Sequence, residues 1–202
     1  IDHIIGDATA YPALNPDTLS GANGGVFDSQ AGEDLEDNVS TGYHAVEYLL
    51  WGKDESADGP GNQPFTHYTT DANATRRGEY LKAVSALIVA DLEGLVNEWK
   101  DGGAYNKTFT ALTPKQVTGK VMTGMIILAG FETGQERILA ALTSGEQEDE
   151  HSCFSDNTHV DMIEDVRGIK NVFDGKYGSL AGNGIKAVLE AQKDGAAVAS
   201  KV

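Results

Sequence analysis

The sequence predicts an all-α protein, a helical bundle with long irregular loops. Three observations predict it. Apolar residues recur at spacings of three and four over long stretches. Helix start and stop signals flank those stretches. No segment sustains the period-2 alternation of a half-buried strand, and no internal repeat is found.

Residues 1–38 carry many breakers, including Pro12, Pro16, Gly21, Gly24, Gly25 and Gly32. A short helical piece at 1–6 followed by a long irregular segment is expected. A loop of that length is uncommon unless it is functional or covers a site. Ser40 or Thr41 is placed to cap the next helix, which ends at Gly52. Its residues Tyr43, Ala45, Val46, Tyr48, Leu49, Leu50 and Trp51 make it apolar on nearly every side, so it is expected to be buried. Residues 53–73, with Asp58-Gly59-Pro60-Gly61, form a second long loop.

Tyr80, Leu81, Val84, Leu87, Ile88, Leu92, Leu95, Val96 and Trp99 form an apolar stripe. Their spacing predicts a helix of about 25 residues from near Thr75 to Gly102-Gly103. Thr113-Pro114 is an N-cap with proline at the first helical position. Val117, Val121, Met125, Leu128, Phe131, Ile138 and Leu142 then carry a helix to about Ser144. Gly119, Gly124, Gly130 and Gly134 weaken it in isolation and are expected to permit close helix contact in a bundle. Further helices are expected over 156–168 and 180–201. The whole chain, 1–202, is read as one helical domain.

With 202 residues, 40% hydrophobic and 23% charged, the chain is long enough for one domain with a core. Its formal net charge is −16, from 31 acidic and 15 basic residues, which argues against nucleic acid or an anionic membrane surface as partner. No stretch approaches the roughly 18 uninterrupted apolar residues of a membrane span. Cys153 is the only cysteine, so no intrachain disulfide forms. No signal peptide is present; the chain opens at Ile1 rather than Met, as a mature or cut product would.

Chemistry concentrates in three places. His44 and Glu47 are three apart on a helix and so share a face. In apolar surroundings that pair is costly unless satisfied, either by a mutual hydrogen bond or by a metal ion bound to both. The run from Glu146 to His159 holds Glu148, Glu150, His151, Asp156 and His159 within fourteen residues, between two helices. Oxygen-rich, imidazole-containing sites suit iron, zinc or manganese, and their carboxylates tolerate calcium. The bland alternative is an acidic turn with Ser155 as N-cap and Asp156 and Asn157 in the first turn. Glu132 and Glu136 share a helix face, with Arg137 able to neutralise one carboxylate and a metal the other; a surface arrangement is the alternative. Arg76, Arg77 and Glu79 are read as surface residues or as supports behind the ligands. No H-E-x-x-H, G-x-S-x-G, P-loop or dinucleotide signature occurs. Acidic neighbours oppose Cys153 as a nucleophile.

Gly42-Tyr43-His44-Ala45-Val46-Glu47 resembles the G-x-H-x-x-E motif of the imelysin family. Tyr48 to Gly52, Asp58 to Asn62, Arg76 to Leu81 and Glu148 to His159 also resemble it, in particular its iron-regulated protein A branch. The resemblance runs from about residue 35 to 175. It implies an all-α protein exported to the periplasm or outer membrane, with two bundle halves and the motif near their junction. By this resemblance His44 and Glu47 carry over as metal or active-site residues. Glu148 to His151 and Asp156, Asn157 and Thr158 carry over as the other wall. Arg137, Asn157 and His159 would orient ligands or balance charge. Family members are usually longer, so the chain resembles a central part, whose bundle would be completed by another chain, by symmetric exchange between copies, or not at all.

Three functions follow as expectations. The first is an envelope metal-binding protein that handles iron, with zinc or calcium as alternatives. The second is a metallopeptidase with Glu47 as general base on a metal-bound water. The third is an interaction module whose His44/Glu47 pair is structural.

Overall fold

The structure, a computed structural model, describes residues 1–19, 40–56, 58–192 and 194–201. Gly21, Gly24, Gly25 and Gly32, on which the long N-terminal loop was expected, lie outside the described residues. The chain is all-α apart from one two-stranded hairpin among the described residues. No described helix is long and apolar enough to cross a membrane.

The chain divides into two compact units. The first comprises Ile1–Asn106 together with Phe154–Asp156, and the second Lys107–Cys153 with Asn157–Val202.

The first unit holds α1 (Asp2–Gly6), α2 (Pro16–Leu19), α3 (Tyr43–Trp51) and α4 (Ala74–Trp99). A single 3-10 turn, Phe65–Tyr68, lies between α3 and α4. Its core gathers Ile4, Ile5, Leu19, Leu49, Tyr80 and Val84, each at most 2% exposed. These residues come from all four helices, so burying them closes the N-terminal segment onto α4. Arg76 reinforces this closure. Its guanidinium donates to the carbonyls of Ile5 (2.8 Å), Ile4 (2.9 Å) and Tyr11 (2.8 Å). Arg76 is therefore a clamp on the last turn of α1, where carbonyls lack helical partners, rather than a surface residue.

Neither Ser40 nor Thr41 caps α3. Gly42 is the N-cap, at φ 88°, and no side chain bonds the helix start. Ser40 instead offers its carbonyl to the buried Tyr80 hydroxyl at 2.7 Å. Glycines at both ends of α3, Gly42 and Gly52 (φ 77°), adopt the left-handed backbone that other residues avoid. The helix is not buried all round. Ala45, Glu47 and Leu49 point inward, while Tyr43, Leu50 and Trp51 are exposed. The stripe on α4 is likewise buried only at Tyr80 and Val84, with Ala83 beside them; Leu92, Leu95, Val96 and Trp99 are exposed. A stripe at helical spacing shows which face would pack, and here the packing ends after the third turn. A short helix that the sequence reading missed, α5 (Ala104–Thr110), follows α4.

In the second unit the Thr113 cap is as expected. Its hydroxyl accepts from the Gln116 N–H, and Gln116 returns the bond to the Thr113 N–H, a capping box at the start of α6 (Pro114–Ile126). The expected single α-helix to Ser144 is instead interrupted. Residues Ile127–Leu139 wind as a π-helix before α7 (Ala140–Ser144). Gly119, Gly124 and Gly130 do not mediate close helix contact: a Cβ added at any of them meets nothing within 4 Å. The next helix, α8 (Thr158–Asp174), starts later and runs further than 156–168. Asn157, not Ser155, occupies its N-cap. The expected helix over 180–201 is replaced by a hairpin, β1 (Lys176–Tyr177) with β2 (Leu180–Ala181), then α9 (Ile185–Glu190) and α10 (Gly195–Ala199). Gly175 and Gly178 have positive φ there, which ends one helix and turns the hairpin.

Candidate functional site

Helix α3 positions His44 and Glu47. His44 Nδ1 lies 2.8 Å from Glu47 Oε2. A carboxylate only accepts, so Nδ1 carries the proton of this bond. The Glu47 residue is 8% exposed, while the His44 side chain is 42% exposed. The second oxygen of Glu47 is engaged too. Oε1 accepts from the Ser155 N–H at 2.9 Å and from its hydroxyl at 2.6 Å. The buried carboxylate is thus satisfied at both oxygens by protein groups.

Ser155 is delivered by Phe154–Asp156, the short segment that belongs to the first unit. Phe154 meets the Tyr48 ring edge-on, with centroids 5.1 Å apart, and its carbonyl accepts from the Gly61 N–H at 2.9 Å. Asp156 sits at φ 54°, an uncommon conformation for a residue with a Cβ but one that aspartate tolerates. Burial, followed by the charge of Asp54 and a hydrogen bond to its carboxyl, holds the Asp156 pKa above the ordinary carboxylate value.

The other expected residues lie in the second unit. His151 Nδ1 is 3.2 Å from Asp161 Oδ2, which also accepts the Ser152 hydroxyl. The Asn157 amide reaches Asp161 Oδ1 at 3.3 Å, and the Ser152 N–H donates to the Thr158 hydroxyl at 3.0 Å. Asp161 therefore ties His151, Ser152 and Asn157 to the first turn of α8. His151 and Ser152 both donate to this one carboxylate. Glu132 pairs with Arg137 at 3.2 Å, five residues on, as the i→i+5 winding allows. Glu136, Glu148 and His159 are exposed, and Glu150 is half-buried. Among the described residues no three His, Cys, Asp or Glu are grouped so as to hold a metal ion.

The structure thus joins His44, Glu47 and Ser155, and separately His151, Asn157 and Asp161. Sequence reasoning missed Ser155 as a partner of Glu47, and missed Asp54 and Asp161 altogether. Only the seam between α3 and the 154–156 segment, formed in three dimensions, reveals the first. Asp161 had a weak local signal, in the first turn of a helix that carries His159 and follows His151 and Ser152.

A family model described as Imelysin matches residues 3–202. No curated protein matches the chain.

Proposed function

Because the chain belongs to the imelysin family, we propose that it is a metal-binding protein of the cell envelope, of the iron-regulated protein A-like branch, with iron as the metal it handles. One observation carries this reading: a half-exposed imidazole whose Nδ1–H is held by a buried carboxylate. That pairing is how metal-ligating histidines are oriented, since it fixes the tautomer. The donor set fits in part. His44 serves as a ligand, but Glu47, bonded at both oxygens, serves as its support. The Asp54/Asp156 pair adds carboxylates in the same unit, and a cation would relieve their repulsion.

The peptidase alternative is less well supported. A general base needs a lone pair directed at the water it activates, and both Glu47 oxygens are already accepting protein hydrogen bonds. The structural alternative draws on the same bonds, which suffice to anchor the 154–156 segment without any metal. Zinc or calcium in place of iron is compatible with imidazole and carboxylate donors. We further propose self-association or a second chain over the exposed end of α4, where Leu92, Leu95, Val96 and Trp99 face solvent.

Titration with ferrous iron, zinc and calcium, followed by elemental analysis, tests the reading. The wild type is expected to retain near-stoichiometric iron and His44→Ala to lose it with its fold intact. Equal metal content in both proteins would overturn the metal role of His44 and favour the structural reading.

A further inference from the structure

Two exposed helix faces of this chain complement one another in shape and in charge. The first is the C-terminal half of α4. Leu92, Leu95, Val96 and Trp99 recur at spacings of three and four, so they form one ridge. They are 44%, 58%, 64% and 50% exposed. The Trp99 ring is braced edge-on by Tyr105, with centroids 4.8 Å apart. Asp91 and Glu93 lie about 100° to either side of Leu92, the angle that one residue turns a helix. Glu98 falls on the Asp91 side, where its Oε2 accepts the Tyr105 N–H at 2.9 Å. The base on this half, Lys100, donates to Asn97 Oδ1 at 2.8 Å. The ridge is therefore large, apolar and rimmed by carboxylates.

The second face lies on α6. Between Asp101 and Glu132 the chain carries Lys107, Lys115 and Lys120 and no acidic residue. Gly119, Thr123 and Ile126 recur at spacings of four and three, and all three are exposed. Lys115 and Lys120 are five residues apart, about 140° around the helix, which puts one on each rim of that face. A Cβ added at Gly119 would meet nothing within 4 Å, so the face is open at its centre. Here the helix offers a shallow groove of small residues rimmed by ammonium groups.

Charge selects what covers the α4 ridge. A second α4 would bring one acidic rim against another, which is costly. Residues 20–39 carry Asp28, Glu33, Asp34, Glu36 and Asp37 and no base, so they are opposed in the same way. The α6 face suits the ridge on both counts, with large side chains over small ones and carboxylates opposite ammonium groups. We propose that this protein associates with itself, the α4 ridge of one copy seated in the α6 groove of another. Such docking rests on the self-association proposed for the end of α4 and names its seat. The net charge of −16 opposes association at long range, but charges beyond about 8 Å are largely screened at physiological salt. Each copy carries both faces, so a pair is the smallest assembly that covers them.

Light scattering over a micromolar concentration series tests this with three proteins. They are the wild type, an α4 reversal (Asp91→Lys with Glu93→Lys) and an α6 reversal (Lys115→Glu with Lys120→Glu). All four positions are exposed, so helix content by circular dichroism is expected to match the wild type. The wild type is expected to assemble as its concentration rises, and each reversal alone to weaken assembly about tenfold or more. Mixing the two reversals is expected to restore it, because acid again meets base at every contact. A wild type that stays monomeric at every concentration would overturn the docking and the self-association beneath it. Assembly that survives the α6 reversal, or a mixture that stays monomeric while the wild type assembles, would leave self-association standing and overturn α6 as its seat.

Discussion

The Ser155 hydroxyl donates to Glu47 Oε1 at 2.6 Å across 108 residues of chain. The Ser155 N–H reaches the same oxygen, and His44 holds the other. Glu47 is thus the joint between the motif helix and the distant 154–156 segment. Its removal would leave Ser155 and His44 facing a buried gap. Glu47→Ala is expected to cost about 2 kcal/mol and Ser155→Ala about 1 kcal/mol. Because they act on one bond, the double variant should cost less than the sum, with coupling of about 1 kcal/mol. Urea unfolding of the four proteins measures this, and strict additivity would show that the bond contributes nothing.

Arg76 makes three hydrogen bonds to carbonyls of the N-terminal segment. Lysine keeps the charge but cannot present a planar fork to three acceptors. Arg76→Lys is therefore expected to destabilise the first unit by about 2 kcal/mol. Hydrogen exchange of residues 2–11 should rise in the variant. Unchanged protection would mean that the core contacts of Ile4 and Ile5 hold the segment alone.

Tyr48 donates its hydroxyl to Asp2, which also pairs with Arg77. Burial and then the Asp2 bond push the Tyr48 pKa up from 10.0 to about 12. A raised pKa means that the protonated phenol stabilises the fold. That contribution is complete below pH 10 and is lost as pH rises through about 12. Burial alone would raise Asp2, but hydrogen bonds from Tyr48 and Arg77 outweigh it and lower its pKa. The Asp2 contribution is therefore present above the unfolded carboxylate value and lost as pH falls through the folded one. Tyr48→Phe should flatten the alkaline limb of stability against pH, and Asp2→Asn the acid limb. Parallel curves for wild type and both variants would refute the assignment.

Asp156 has a raised pKa, so its protonated form is the one that favours the fold. That benefit exists below the ordinary carboxylate range and disappears as pH rises, leaving repulsion from Asp54 at neutral pH. Asn keeps the tolerance for φ 54° and removes the charge. Asp156→Asn is expected to raise the unfolding midpoint at pH 7 and leave it unchanged in strong acid. A lower midpoint at pH 7 would show that the carboxylate is needed there, as a cation site would require.

Much of the local structure was legible in the residues. The Thr113/Gln116 box, the end of α3 at Gly52 and the body of α4 follow from caps, glycines and apolar spacing, all of which act within a few residues. The pairing of His44 with Glu47 follows from helix periodicity alone. The helix over 180–201 was misread because alanine, leucine and lysine favour helix there while Gly182 and Gly184 keep its start out of the helix. The π-winding of Ile127–Leu139 had no local signal; within the second unit it coincides with Thr133 bonding Asp165 of α8 at 2.9 Å.

The sequence by itself determined the helical class, the family and the one helix that carries imidazole and carboxylate on a common face. Local forces suffice for these, since caps and periodicity involve neighbours a turn away. Tertiary structure alone decided what Glu47 bonds to and that Arg76 clamps a segment 65 to 72 residues before it. It also decided that His151 pairs with Asp161, ten residues on. A buried polar group must be paired, but periodicity does not say by whom; the partner is whichever donor the folded chain brings within about 3 Å.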